Sequence, residues 1–338
     1  MSAFSNLLIP AVLFFGLGFL ARLIKSDLRF PQDLAKILSI YLLVAIGLHG
    51  GYELAKADLG TALYAVVWAL LLGFALPVLG YLLLLASRRV DHMNAAAIAA
   101  HYGSVSAGTF LTAIAYLDNL GIAYESYPVI MLAVMESPAI IVGLMLASWS
   151  RQRLKASPRA EAGGEAVIDS SNGNRQLGQL LHEAFTNGSV VLLIGSMVIG
   201  AISTSHGMQK LYPFVNDIFM GMLCLFLLEM GMEAARRIRE FRKVGGVLVV
   251  FGLLMPLIGG AIGVAVGDWV LDLSLGGTTL VGVLGASASY IAVPPAMRLA
   301  VPEANPSFYL TLSLGITFPF NVVVGIPLYY QWAQLVAG

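Results

Sequence analysis

Charged residues are scarce in this sequence of 338 residues. Asp, Glu, Lys and Arg together make up 11% of the chain, whereas about 25% is usual for a soluble domain. Neither sign is in excess, because 19 basic residues balance 19 acidic ones. The scarcity excludes an ordinary soluble enzyme and a disordered chain, and the balance excludes a nucleic-acid binder, which needs a basic excess. Since 58% of the residues are hydrophobic, a polytopic membrane protein remains.

The sequence also lacks the motifs of several kinds of chemistry. Cys224 is the single cysteine, so no disulfide forms within the chain. There is no His-Glu-x-x-His zinc motif and no phosphate-binding loop ending in Gly-Lys-Ser. We therefore predict that the chain is not an enzyme and needs no cofactor, apart from an ion such as sodium that would be carried with the substrate. Any transport would be driven by a gradient rather than by ATP.

Long apolar stretches are what the sequence has instead. A bilayer-spanning helix needs about 20 mostly apolar residues, and ten stretches approach this length. They predict an all-α polytopic membrane protein with ten transmembrane helices. The stretches lie near residues 4–22, 32–51, 61–86, 93–116, 125–149, 187–206, 212–233, 244–268, 276–296 and 307–333.

Basic residues predict the orientation, because Lys and Arg collect in cytoplasmic loops. When alternate loops are assigned to opposite sides, every basic residue except Lys56 and Lys210 falls on one side. That side is predicted to be cytoplasmic, which places both termini outside. An odd error in the number of spans would mix the two sides, so the asymmetry also supports the count of ten.

The one long polar stretch divides the chain into two halves. Residues 1–150 are predicted to form a first five-helix repeat, 151–185 a cytoplasmic linker, and 186–338 a second five-helix repeat. The linker has no apolar periodicity until a short amphipathic segment at Leu177–Phe185. It is either a passive tether or a docking site for a regulatory partner.

The two halves resemble each other at a nearly constant offset. Gly47 and Gly231 lie 184 residues apart in similar surroundings, Pro77 matches Pro256, and Gly103–Ser106 matches Gly285–Ser289. Since each half has an odd number of spans, the second must be inverted relative to the first. Inverted repeats are typical of secondary transporters that work by alternating access.

The fourth and ninth spans are predicted to be broken and to hold the substrate near the midplane. Both are rich in small and hydroxylated residues, and Pro294-Pro295 interrupts the second. A broken helix exposes backbone N–H groups and a positive dipole end, which bind anions without Arg. Small-residue helix packing is the alternative interpretation. The candidate substrate residues are Gly103, Ser104, Ser106, Gly108, Thr109, Ser287, Ser289 and Tyr290.

Ionisable residues inside the predicted spans are candidates for ion coupling, because such residues are costly in a membrane. Glu136 lies inside span five, and Glu229 lies inside span seven. His101 adjoins the proposed site, and histidine titrates near neutral pH. Packing roles remain open for Glu229 and His101. Glu233, one turn beyond Glu229, is predicted to be interfacial and close to Arg236 and Arg237.

These segments resemble the sodium-dependent bicarbonate transporter family (SbtA) of cyanobacteria and other bacteria. The resemblance implies ten helices in two inverted halves and a homotrimer in the bacterial inner membrane. It also implies uptake of bicarbonate with sodium, and regulation by a trimeric PII-like cytoplasmic protein that senses adenine nucleotides. It rests on Ile46–Gly51, Gly103–Thr109, Tyr124–Tyr127, Glu136–Ala139, Met230–Ala234, Pro294–Arg298 and Ala304–Tyr309.

Tyr290 departs from the family pattern, which has an Asp at this place that is suited to bind sodium. A phenol is a poorer ligand than a carboxylate for a hard cation. We therefore hypothesise that the coupling ion or the substrate has changed, with protons carried by Glu229 or His101. The leading prediction is a secondary transporter of bicarbonate or a similar small anion. A carrier of small monocarboxylates, a passive anion channel and a sensor are the alternatives.

Overall fold

The computed structural model describes residues 10–155, 188–238 and 245–336, and within these ranges it is helical without strands. Six helices are long and apolar enough to cross a membrane. Three shorter apolar helices, Pro10–Leu23, Val191–Ile202 and Leu275–Ala286, accompany them. The count of ten spans and the orientation of the termini stay predictions. The predicted amphipathic segment at Leu177–Phe185 lies outside the described residues.

Thirteen helices are named here in chain order, and two of them include irregular turns. Helix α10 ends in a π-helical turn, and α13 contains two. The bounds are α1 Pro10–Leu23, α2 Gln32–Leu54, α3 Leu59–Ala86, α4 His92–Gly103, α5 Ala107–Leu120, α6 Tyr127–Lys155, α7 Gly188–Ile202, α8 Ser205–Tyr212, α9 Phe219–Ile238, α10 Gly246–Val270, α11 Leu275–Ala286, α12 Val293–Ala300 and α13 Pro306–Val336.

Helix packing pairs elements from the two halves. Helix α1 packs on α9 and α2 packs on α7, whereas α3 packs on α4 and α6 in one half, and α10 packs on α11 and α13 in the other. If the halves are related as the sequence predicts, α1 corresponds to α7, α2 to α9 and α3 to α10. Each of these packing pairs then maps onto another observed pair.

Glycines carry the same relationship at the atomic level. A Cβ added to Gly47 in α2 would collide with Ser196 of α7, and one added to Gly231 in α9 would collide with Phe15 of α1. Such contacts let two backbones approach closely, as in other membrane helix pairs. The two glycines are 184 residues apart, so the near-constant offset of the sequence recurs in the packing.

The helix ends that are predicted to share a side of the membrane lie together. On the predicted cytoplasmic side, the Arg151 guanidinium donates to Glu303 at 2.8 and 2.7 Å and to the Ala300 carbonyl at 2.7 Å. This contact lowers the pKa of Glu303. On the other side, Glu125 accepts hydrogen bonds from the backbone N–H and hydroxyl of Ser274, at 2.7 and 2.9 Å.

Candidate functional site

The first helix break separates α4 from α5. Helix α4 ends at Gly103, because a Cβ there would collide with the Pro77 ring of α3 and only glycine permits the approach. The chain is extended at Ser104 and Ser106 before α5 begins. The Ser106 hydroxyl then accepts hydrogen bonds from the Thr109 backbone N–H at 3.1 Å and hydroxyl at 2.9 Å. Ser106 is therefore the N-cap of α5.

The second break separates α11 from α12, and its position corrects one expectation. Helix α11 ends at Ala286, and α12 begins at Val293 with Pro294 in its first turn. The Pro294-Pro295 pair thus starts a helix and does not form the break, because the first turn needs no backbone donors. Prolines have no N–H, so this helix start offers fewer donors to an anion than α5 does.

Hydrogen bonds join the two breaks where they cross. The Ser106 N–H donates to the Ser287 hydroxyl at 3.0 Å, and the Ser289 N–H donates to the His101 carbonyl at 2.8 Å. Asn321 of α13 donates to the Ala286 carbonyl at 2.9 Å, which satisfies an orphan acceptor at the end of α11. The crossing is consequently a fixed structure although its chain segments are not helical.

A small cavity, named the inner cavity here, lies at this crossing. Its volume is about 10 Å³, which is close to the minimum needed to hold one water molecule. Five of its lining residues come from the two breaks and from α6. The full lining is Ser39, Leu43, Val105, Ser106, Ala107, Glu136, Ser289, Tyr290 and Ile291.

A larger cavity of about 900 Å³, named the vestibule, meets the inner cavity from the predicted cytoplasmic side. Arg22, Arg29, Lys36 and Arg236 line it, together with Glu229. Four residues line both cavities and are called the neck: Ser39, Leu43, Tyr290 and Ile291. An anion leaving the crossing would therefore pass the neck into basic surroundings.

Several buried polar atoms around the crossing have no hydrogen-bond partner among the described residues. They are the Ser104 hydroxyl, the Glu136 Oε2 atom, the Tyr290 hydroxyl and the Glu229 Oε2 atom. Buried polar groups in folded proteins are nearly always paired, and an unpaired group calls for an explanation such as an ion or a water molecule. The cluster marks this region as a site for a polar ligand.

The predicted site residues fall into three groups. Ser106, Ser289, Tyr290 and Glu136 line the inner cavity, and Glu229 lines the vestibule. A second group supports the crossing without lining either cavity: Gly103 through Pro77, Gly108 beside Tyr290, and Ser104, Thr109 and Ser287 within the breaks.

His101 forms the third group, because it lies behind the crossing. Its ring is fully buried, stacks on Tyr309 with centroids 4.4 Å apart, and contacts the Ala97 carbonyl through Nδ1 at 2.7 Å. The His101 side chain lines neither cavity, whereas its carbonyl holds Ser289. Its Nε2 atom has no partner within the described part of the chain.

Two further residues complete the comparison with the sequence. Glu233 pairs with Arg236 at 2.6 Å and with Arg237 at 2.9 Å, which confirms the predicted interfacial contact. Ser39 of α2 lines both cavities, although the sequence analysis did not identify it. A serine within an apolar span was the available signal, but nothing in the sequence relates it to residues 60 or more positions away.

These features define a multi-pass helical membrane protein of the transporter class, with broken helices that meet beside a cavity. The chain belongs to the Na⁺-dependent bicarbonate transporter superfamily, because the model of that family matches residues 10–334. The match covers nearly the whole chain and confirms the resemblance identified from the sequence. A comparison with curated proteins gives no significant match.

Proposed function

We propose that this protein is a secondary active transporter that imports bicarbonate, or a similarly small anion, by alternating access and with a coupled cation. The observation that carries the proposal is the crossing of two helix breaks beside buried polar groups that lack partners. The membership of the superfamily supports the same substrate class and sodium as the coupled ion.

The anion is proposed to bind at the start of α5. The backbone N–H groups of Ala107 and Gly108 lie in the first turn of a helix and have no intrahelical acceptor. The positive end of the helix dipole favours negative charge at this place. Hydroxyls of Ser289 and Tyr290 add donors from the second break. These four groups can recognise a planar, singly charged anion without an arginine.

Glu136 is proposed to hold the coupled cation. It is the acidic residue of the inner cavity, it is 8% exposed, and its Oε2 atom has no partner among the described residues. Carboxylate, hydroxyl and carbonyl oxygens suit a hard cation such as sodium. Glu229, at the vestibule, is the proposed carrier if protons replace sodium. A role of His101 in proton coupling also stays a hypothesis, and its position favours a packing role.

The symmetric packing of the two halves supports alternating access. The α1–α9 and α2–α7 contacts exchange under the predicted repeat, as do α3–α4 and α10–α11. Two halves that can exchange their conformations give an outward-facing and an inward-facing state around one fixed site. The vestibule on the predicted cytoplasmic side corresponds to the inward-facing state.

We predict that Glu136→Gln lowers bicarbonate uptake at least about tenfold under a sodium gradient, which corresponds to about 1.4 kcal/mol of lost stabilisation. The amide keeps the shape of the side chain but removes the negative charge that balances the cation. Initial uptake rates in proteoliposomes measure the effect, and Glu136→Asp should retain part of the activity.

Glu229→Gln is the matched variant, measured under sodium-only and proton-only gradients. Loss of proton-driven uptake in this variant would support proton coupling through the vestibule. Strictly sodium-dependent uptake that Glu229→Gln leaves intact would exclude it. Full sodium-driven uptake by Glu136→Gln would contradict the proposed cation site.

A carrier of small monocarboxylates and a passive anion channel are the rival functions. Acetate and formate compete with bicarbonate in the first case, since a helix N-terminus distinguishes planar carboxylates poorly. The vestibule ends at the neck, which favours a carrier over an open channel. The homotrimer and the PII-like partner stay proposals of the resemblance, and most of the linker that would dock a partner lies outside the described residues.

A further inference from the structure

Tyr290 occupies the point where the inner cavity and the vestibule meet. It is one of the four neck residues, and it sits in the non-helical segment 287–292 between α11 and α12. Across the neck lie Ser39 and Leu43, which are four residues apart on α2 and share one face of that helix. An object that moves between the two cavities must pass between this ring and that face.

Aromatic packing holds the ring in its place. The Tyr290 ring packs edge-on against Phe318 of α13 with centroids 5.5 Å apart, and Phe318 packs in the same way on Phe15 of α1 at 5.7 Å. The hydroxyl is buried beside Gly108, where an added Cβ would contact it. Phe226 of α9 lies on the same glycine, 3.0 Å from that Cβ position.

The mobility of the backbone differs from that of an ordinary helical residue. A helical side chain is held by intrahelical hydrogen bonds, and its backbone cannot shift without breaking them. Tyr290 lies in the break, so its backbone can change direction without melting a helix. Its hydroxyl has no hydrogen bond to lose within the described residues.

We propose that the Tyr290 ring is the inner gate of the transporter, closing the inner cavity against the vestibule and swinging aside to release the anion. This inference rests on the proposed transport function and deepens it. A gate at this position explains why two cavities that share four lining residues differ so much in volume, about 10 Å³ against about 900 Å³. The aromatic side chain at the point of departure from the family pattern would then seal the site.

Thiol accessibility tests the gate without requiring transport. The single native cysteine is removed by Cys224→Ala, and Ser289→Cys places a thiol that lines the inner cavity but not the vestibule. A charged, membrane-impermeant methanethiosulfonate reagent is added from the cytoplasmic side. Ser39→Cys at the neck is the control for access through the vestibule.

The gate predicts slow labelling of Ser289→Cys, faster labelling in Tyr290→Ala by at least about tenfold, and slow labelling in Tyr290→Phe, which keeps the ring. Leu43→Ala should also speed the reaction by widening the neck from the opposite side. Tyr330→Ala, which removes a ring packed on Tyr116, controls for general loosening and should have no effect.

Equal labelling of Ser289→Cys with and without the Tyr290 ring would overturn the gate, as would labelling as fast as that of Ser39→Cys in the unaltered background. If Tyr290→Ala is unstable, the Leu43→Ala and Tyr290→Phe variants still decide the question. If none of the variants takes up bicarbonate but the labelling pattern is as predicted, the gate stands and the proposed substrate is wrong.

Discussion

Ser106→Leu is expected to lower anion uptake by about 10²-fold, because displacing one positioned group by an ångström is enough for a loss of this size. The Leu side chain would project into a cavity of about 10 Å³ that is lined by the residue it replaces. It would also remove the hydroxyl that accepts from both donors of Thr109. Loss of an N-cap costs about 1 kcal/mol, so most of the protein should still fold.

Ser106→Ala separates the two effects, because it removes the cap without filling the cavity. It should retain more uptake than Ser106→Leu at a similar expression level. Initial rates in proteoliposomes, with the purified amount and oligomer size measured in parallel, check the prediction. Normal uptake by Ser106→Leu would mean that the anion binds elsewhere.

Gly103→Val is expected to reduce uptake by a similar factor, about 10²-fold, for a different reason. The Cβ atom would collide with the Pro77 ring, so the end of α4 must move away from α3 and carry Ser104 and Ser106 with it. Overpacking of this kind costs about 1–3 kcal/mol. We therefore expect a lower melting temperature together with the loss of uptake.

Gly285→Val should have the same effect, since a Cβ there would collide with the backbone of Gly259. The two pairs, Gly103 with Pro77 and Gly285 with Gly259, are each related by 182 residues. Gly16→Val is the matched control, because the space around Gly16 is open within 4 Å. If Gly16→Val lowers uptake as much as Gly103→Val, the effect belongs to valine in a helix rather than to the collision.

The helix breaks could be predicted from the sequence because their causes are local. Gly103 and Ser106 sit where a helix ends and the next is capped, and both preferences are properties of the residues themselves. The Pro294-Pro295 pair was read as the break because proline interrupts helices. The structure places it at the start of α12, where proline is equally at home.

The composition of the site could not be predicted in the same way, because it depends on helices that are distant in the sequence. Ser39 reaches the crossing only because α2 packs beside it. The repeat shows the same limit, since the sequence matched Pro77 to Pro256. In the packing, the residue that faces Gly285 is Gly259, and position on the helix face decides the contact rather than residue identity.

Uptake of radiolabelled bicarbonate into proteoliposomes tests the central claim most directly. The pH is set equal on both sides, and an inward sodium gradient is imposed, dissipated or replaced by potassium. The proposed function predicts that internal bicarbonate rises above the external concentration only while a coupling gradient exists, and that Ser106→Leu abolishes the rise. Equilibration to the external concentration, with no dependence on any cation gradient, would contradict a coupled carrier.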